Sequence, residues 1–232
     1  MLAYSAMTKG ESLIDTAQSF EAMGTDLFII RHADNHTPDF IANELTTDAH
    51  IINAGDGTNR HPTQALLDLM TIQQCKGDFS NLSVAIVGDI NHSRVAKSLV
   101  VALSKMSVPD IRLVGPDTLV SDTLAQHNVS VYHNLTDGIK NADVVIALRI
   151  QKERFDEKEH LDLKCYQKEF CITQEIMSTA RPDAIVMHPG PINRNLEIAS
   201  DVADSSQSMI LKQVTNGVAM RMALLDTLIG AK

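Results

Sequence analysis

The sequence predicts an α/β chain of two lobes, each a parallel sheet flanked by helices, with the N-terminal lobe incomplete. Short apolar runs alternate with amphipathic stretches along the whole chain, which is the pattern of a parallel α/β architecture. A polar segment, Cys75-Lys-Gly-Asp-Phe-Ser-Asn-Leu82, divides the strands into two groups and reads as a lobe junction. Only two strands precede it, and two parallel strands make a poor sheet by themselves. Strands are expected at 26–31, 50–54, 83–88, 110–115, 129–133, 143–148 and 183–188. Helices are expected at 11–23, 38–45, 62–74, 94–106 and 119–127. A final one should run from about 208 to 228, where apolar residues recur at helical spacing.

Composition narrows the chemistry. The 232 residues carry 20 Lys and Arg against 29 Asp and Glu, a net charge of -9. A chain that held nucleic acid by neutralising phosphates would carry the opposite balance, so an anionic ligand must meet a local cluster of cations. Cys75, Cys165 and Cys171 are odd in number and lack CxxC spacing, which suits reduced thiols and neither a disulfide framework nor a zinc site. No apolar run has the length of a membrane span, and the first residues, MLAYSAMTKGES, lack the pattern of a signal peptide. A soluble cytoplasmic protein is expected.

The apolar runs end in cations and histidines. Phe28-Ile29-Ile30 ends in Arg31-His32, and Val84–Val87 leads through Gly88-Asp89 to His92-Ser93-Arg94. Val144–Leu148 ends in Arg149-Ile150-Gln151-Lys152, and Ile185-Val186-Met187 in His188-Pro189-Gly190-Pro191. Open parallel sheets bind ligands beyond the carboxyl ends of their strands. Three arginines therefore converge on one rim, and Arg suits bidentate recognition of carboxylate or phosphate. A single arginine there would be ordinary surface chemistry; three in an acidic chain point to a small polyanion.

A second constellation runs from Asn53 through Gly55-Asp56-Gly57-Thr58-Asn59-Arg60 to His61-Pro62-Thr63-Gln64. It reads as strand, Gly-rich turn and helix start, with Pro62 in the first turn where no intrahelical donor is lost. His61 and Gln64, three apart, can face one ligand beside the helix N-terminus. Gly88 alone does not make a dinucleotide site, because the turn Gly88-Asp89-Ile90-Asn91-His92-Ser93 lacks the second and third glycines. Asp89 is expected to shape that turn and Ser93 to cap the next helix. No GxSxG elbow and no HExxH motif occurs.

Five segments, KGESLIDT, GDGTNRHPTQALLDL, VAIVGDINHSRVAKSL, ALRIQKERF and MHPGPINRNLEIASDV, resemble in this order the signature segments of aspartate carbamoyltransferases. The resemblance extends from about Ser5 to the last helix. Ornithine carbamoyltransferases share the fold, but usually have Cys where Thr63 stands and a Cys-containing motif in place of His188-Pro189-Gly190-Pro191. The cations of ALRIQKER also suit a dicarboxylate.

The resemblance implies a carbamoyl-phosphate lobe at 1–73, an aspartate lobe at 74–208, and a final segment, 209–232, folding back on the first lobe. It implies that Arg31, His61 and Gln64 contact carbamoyl phosphate. Ser5 and Lys9 would belong to a loop inserted into a neighbour's site, which makes a homotrimer the expected assembly. Arg94, Arg149 and Gln151 would read aspartate, and Pro189, Gly190 and Pro191 would close over both substrates. The implied reaction is direct attack of the aspartate amine on carbamoyl phosphate, giving N-carbamoyl-L-aspartate and phosphate for pyrimidine biosynthesis. His61 and Arg31 would stabilise the oxyanion, and Lys9 and Arg31 would neutralise the phosphate. No cofactor is implied, and no metal, since zinc in such assemblies belongs to a separate regulatory chain. Dihydroorotase or regulatory chains partner some family members, and no residue here selects between them.

The pattern breaks at one point. The family has a Ser-x-Arg-Thr-Arg segment upstream of the KGES loop, and this chain contains none. The 232-residue polypeptide alone is therefore expected to show little or no transferase activity. A truncated, non-catalytic paralogue with a structural or regulatory role is the alternative, followed distantly by an ornithine carbamoyltransferase.

Overall fold

The computed structural model describes residues 10–124, 128–150 and 162–230. Among the described residues the first lobe starts with helix α1 (Leu13–Ala22), capped by the Ser12 hydroxyl, then strand β1 (Leu27–His32). Helix α2 (Thr37–Glu44) leads to β2 (His50–Asp56) and helix α3 (Pro62–Lys76). β1 and β2 pair in parallel from Leu27 opposite His50, with an irregularity between Ile30 and His32. That pair is the first sheet. α3 has Pro62 in its first turn and stops at Gly77, whose positive φ of 78° is a backbone conformation that favours glycine.

The second lobe alternates β3 (Ser83–Val87), α4 (Arg94–Lys105), β4 (Asp110–Val114), β5 (Val129–Tyr132), α5 (Leu135–Ile139) and β6 (Val144–Ala147). Then come α6 (Leu163–Phe170), α7 (Gln174–Met177), β7 (Ile185–Met187), α8 (Ser200–Ala203) and the long α9 (Ile210–Ile229). Five strands form one parallel sheet in the order β5-β4-β3-β6-β7. β3 and β6 are buried throughout because helices cover both faces, which is why they read as unbroken apolar runs. α4 buries Ala96, Leu99, Val100 and Leu103, one stripe at helical spacing, against this sheet.

One expected helix is absent. Residues 119–124 do not begin it; they make only a short 3-10 turn, Asp122–Leu124, and 125–127 lie outside the described residues. The reason lies in the β3–α4 turn. The N–H groups of Ile90 and Asn91 both donate to the Leu119 carbonyl, at 3.0 Å each. Leu119 and Val120 are buried in a turn folded on Pro116, so their apolar side chains serve the core without a helix.

The last helix packs on the first lobe. Asn216 of α9 donates to Thr71 (2.9 Å) and Gln74 (3.1 Å) of α3, while Gln213 donates to Asp68 (2.8 Å). Its opposite face leaves Leu211, Val214, Val218 and Met222 exposed by 61% or more.

Candidate active site between the lobes

The order of the large sheet reverses between β3 and β6, the neighbouring strands from which the chain departs in opposite directions. Such a switch point opens a crevice at the carboxyl ends of the two strands. Gly88 follows β3 with φ of 128°, and a Cβ there would lie 3.0 Å from the Leu148 carbonyl after β6. The glycine lets the two strand ends close up, so that the β3–α4 turn and the residue after Leu148 share one rim.

A cleft of about 330 Å³ lies there. From the first lobe it takes Arg31, just before the end of β1, with His61 and Gln64 at the start of α3. The second lobe contributes Ser93, Arg94, Arg149 and the loop Pro189–Gly190–Pro191, and α9 contributes Arg221. Among the described residues, four arginines and no carboxylate line it. Ser5, Lys9 and Gln151 lie outside the described residues, as does Lys152.

The lobes touch through backbone as well as side chains. The His61 N–H donates to Ser98 Oγ at 2.8 Å, and Lys97 Nζ donates to the Thr58 carbonyl at 2.9 Å. Arg94 Nη1 donates to the Gly57 carbonyl at 3.3 Å. Gly55, with φ of 117°, makes room for this arginine: a Cβ would stand 2.9 Å from its guanidinium carbon. Arg94 itself is fixed as the first residue of α4 by Ser93, whose hydroxyl accepts the Ala96 N–H at 3.1 Å.

Burial and these cations together set the state of His61. Burial, then the charges of Arg94, Arg31 and Arg221, lower its pKa to about 4. The imidazole is neutral near pH 7 and can donate one hydrogen bond without adding a charge. Asp68, one turn after Gln64, is fully buried, and its carboxyl is pushed up to about 7 by burial against the pull of two amide donors. Those donors are Gln64 Nε2 at 3.0 Å and Gln213 Nε2 at 2.8 Å, both to Oδ1.

The loop after β7 is held from behind. His188 Nδ1 accepts the Gly190 N–H at 2.8 Å, so its Nε2 carries the proton facing Glu197 Oε1 at 3.2 Å. Glu197 also accepts the Asn193 N–H at 2.6 Å, and the His188 N–H donates to Gln213 Oε1 at 2.9 Å. The Gly190–Pro191 peptide is cis. Among the described residues no three His, Cys, Asp or Glu side chains gather as a metal site.

Arg221, Asp68 and Gln213 escaped the sequence reading. Nothing local marks Arg221, which lies within a 20-residue helix. Its room comes from Gly217 one turn earlier, where a Cβ would lie 2.7 Å from the guanidinium.

Fold and cleft together define a two-lobed α/β protein whose arginine-lined cleft, suited to small anions, lies at the switch point of its larger parallel sheet. Residues 1–74 match the family model of the aspartate/ornithine carbamoyltransferase carbamoyl-P binding domain, and residues 80–228 that of the Asp/Orn binding domain. The aspartate carbamoyltransferase catalytic subunit of Coxiella burnetii is 52% identical over 225 residues, 97% of this chain and 72% of the relative. The aspartate transcarbamoylase of Trypanosoma cruzi in complex with carbamoyl phosphate superposes with a TM-score of 0.86 at 31% identity, covering 97% of this chain and 72% of that one. Ornithine carbamoyltransferase from Pyrococcus furiosus gives 0.84 at 27% identity, covering 96% and 72%. The chain belongs to the aspartate/ornithine carbamoyltransferase family.

Proposed function

We propose that this cleft transfers the carbamoyl group of carbamoyl phosphate to the amine of L-aspartate. One observation carries the reading: His61, Gln64 and Arg31 face Arg94 and Arg149 across a single cleft without a carboxylate among its described residues. Two anions that repel each other in water can be held there side by side, and such alignment supplies much of the acceleration in a two-substrate reaction. In the proposed reaction, the aspartate nitrogen forms a bond to the carbonyl carbon. The carbon–oxygen bond to phosphate then breaks, and the amine proton leaves on a phosphate oxygen. Neutral His61 and Arg31 donate to the carbonyl oxygen as it gains charge, while Arg94 and Arg149 hold the aspartate carboxylates. Lys9 and Ser5 act from a neighbouring chain, Gln151 adds to the aspartate side, and the Pro189–Pro191 loop closes over both substrates.

Residues 1–73 thus serve the first substrate, 74–208 the second, and 209–232 anchor one lobe to the other, within a cytoplasmic homotrimer. No helix among the described residues is long and apolar enough to cross a membrane. The named relatives support the acceptor: the Coxiella protein is an aspartate carbamoyltransferase, and a Trypanosoma structure holds carbamoyl phosphate with aspartate. The test offers carbamoyl phosphate with L-aspartate or L-ornithine and follows the carbamoylated product, alongside calorimetry of both substrates. A slow product from aspartate alone is expected, lost in His61→Ala. Product from ornithine, or a cleft that binds neither substrate, overturns the reading.

A further inference from the structure

Behind the cleft, one carboxylate ties together three segments that line it. Asp68 Oδ1 accepts from Gln64 Nε2 of the same helix and from Gln213 Nε2 of α9. The Oε1 of Gln213 in turn accepts the N–H of His188, which opens the Pro189–Pro191 loop. Gln64 and Asp68 are 7% and 0% exposed, so water does not compete for these bonds. An amide has one donating and one accepting end. With its NH2 committed to Asp68, Gln64 has its carbonyl left for the cleft it lines, and no donor reaches that oxygen among the described residues.

We propose that Asp68 is a positioning residue: it fixes the Gln64 amide with its carbonyl toward the first substrate, and thereby selects a substrate carrying N–H donors beside the transferred carbonyl. This rests on the proposed function. A carbamoyl group offers such a donor; an acetyl group of almost the same shape offers a methyl. A site built to pair a substrate N–H discriminates against the analogue lacking it, because its own polar group is then left unpaired. Were the Gln64 amide reversed, its NH2 would face the cleft and its carbonyl would oppose Asp68 Oδ1, which Gln213 Nε2 holds as an acceptor whether or not the other carboxyl oxygen carries a proton. Two acceptors would then face each other, and the reversed arrangement is disfavoured.

The test has two independent parts. In the ligand-free full chain, the side-chain amide protons of Gln64 are followed by NMR in wild type, Asp68→Asn and Asp68→Leu. Asn retains an acceptor oxygen; Leu offers none. The account expects slowly exchanging Gln64 amide protons in wild type and Asp68→Asn, and fast exchange in Asp68→Leu. Fast exchange in wild type overturns the positioning claim without any variant, so a Leu variant that failed to fold would not shelter it. In the second part, the affinities for carbamoyl phosphate and acetyl phosphate are measured by calorimetry. Their ratio should fall about five- to tenfold in Asp68→Leu, the loss of one hydrogen bond, and be restored in Asp68→Asn. An equal weakening of both ligands would mark Asp68 as merely structural and overturn the proposal. Should wild type bind neither phosphate, the proposed function and the selectivity claim fall together, while the NMR result still decides the orientation of Gln64.

Discussion

At the residue scale, His61 and Asp68 respond oppositely to the same burial. Desolvation lowers the histidine to about 4 and raises the aspartate to about 7. Between about pH 4 and 6.5 the unfolded chain takes up a proton at His61 that the folded chain refuses, so this group makes stability rise with pH. Over pH 3.8 to about 7 the folded chain keeps a proton on Asp68 that the unfolded chain releases, so this group makes stability fall as pH rises. Each slope reaches about 1.4 kcal/mol per pH unit, and in wild type the two oppose each other. Urea midpoints at pH 4.5 and 6.5 should therefore diverge: His61→Gln loses stability on going to pH 6.5, whereas Asp68→Asn gains it. Parallel changes in the two variants would refute the assignment. For turnover, His61→Ala should lower kcat by about 100- to 1000-fold, the usual effect of removing one oxyanion donor, with circular dichroism unchanged. Full activity would remove His61 from the chemistry.

At the scale of elements, α4 shows how a cap places a functional group. Ser93 accepts the Ala96 N–H and starts the helix at Arg94, whose guanidinium then reaches the Gly57 carbonyl of the other lobe. Ser93→Ala should cost about 1 kcal/mol of stability, read from the urea midpoint, and weaken anion binding in the cleft as the helix start loosens. A stable variant with unchanged binding would separate cap from site. The cap was legible from its sequence because Ser stands before an apolar periodic stretch, and the strands were legible because buried parallel strands read as apolar runs. The expectation of a helix at 119–127 misjudged Leu119 and Val120, which enter the core from a turn fastened to Ile90 and Asn91. Short helices such as Leu135–Ile139 and Ser200–Ala203 are too brief to show a period. The rim arginines could be read because each follows an apolar run. Arg221 and the Asp68–Gln213 pair could not, since they meet only when α9 folds back on α3.

For the whole molecule, the exposed stripe Leu211, Val214, Val218 and Met222 on α9 is an apolar face of the kind that polypeptide contacts cover. Light scattering should give a mass three times that of one chain; a monomer at assay concentration would contradict the shared-site account. The chain spans 72% of the length of the Coxiella relative, yet the cleft gathers groups from both lobes and from the last helix. The central claim, that this one cleft holds both substrates, is tested most directly with N-(phosphonacetyl)-L-aspartate, a compound that carries a phosphonate and the aspartate carboxylates in one molecule. Calorimetry should find one molecule bound per chain, with affinity falling about tenfold or more in Arg149→Met and in Arg31→Met, as loss of a charged hydrogen bond requires. Lys168→Met, on the outer surface of α6, should bind as wild type. No binding by wild type, or binding indifferent to both arginines, would contradict the account.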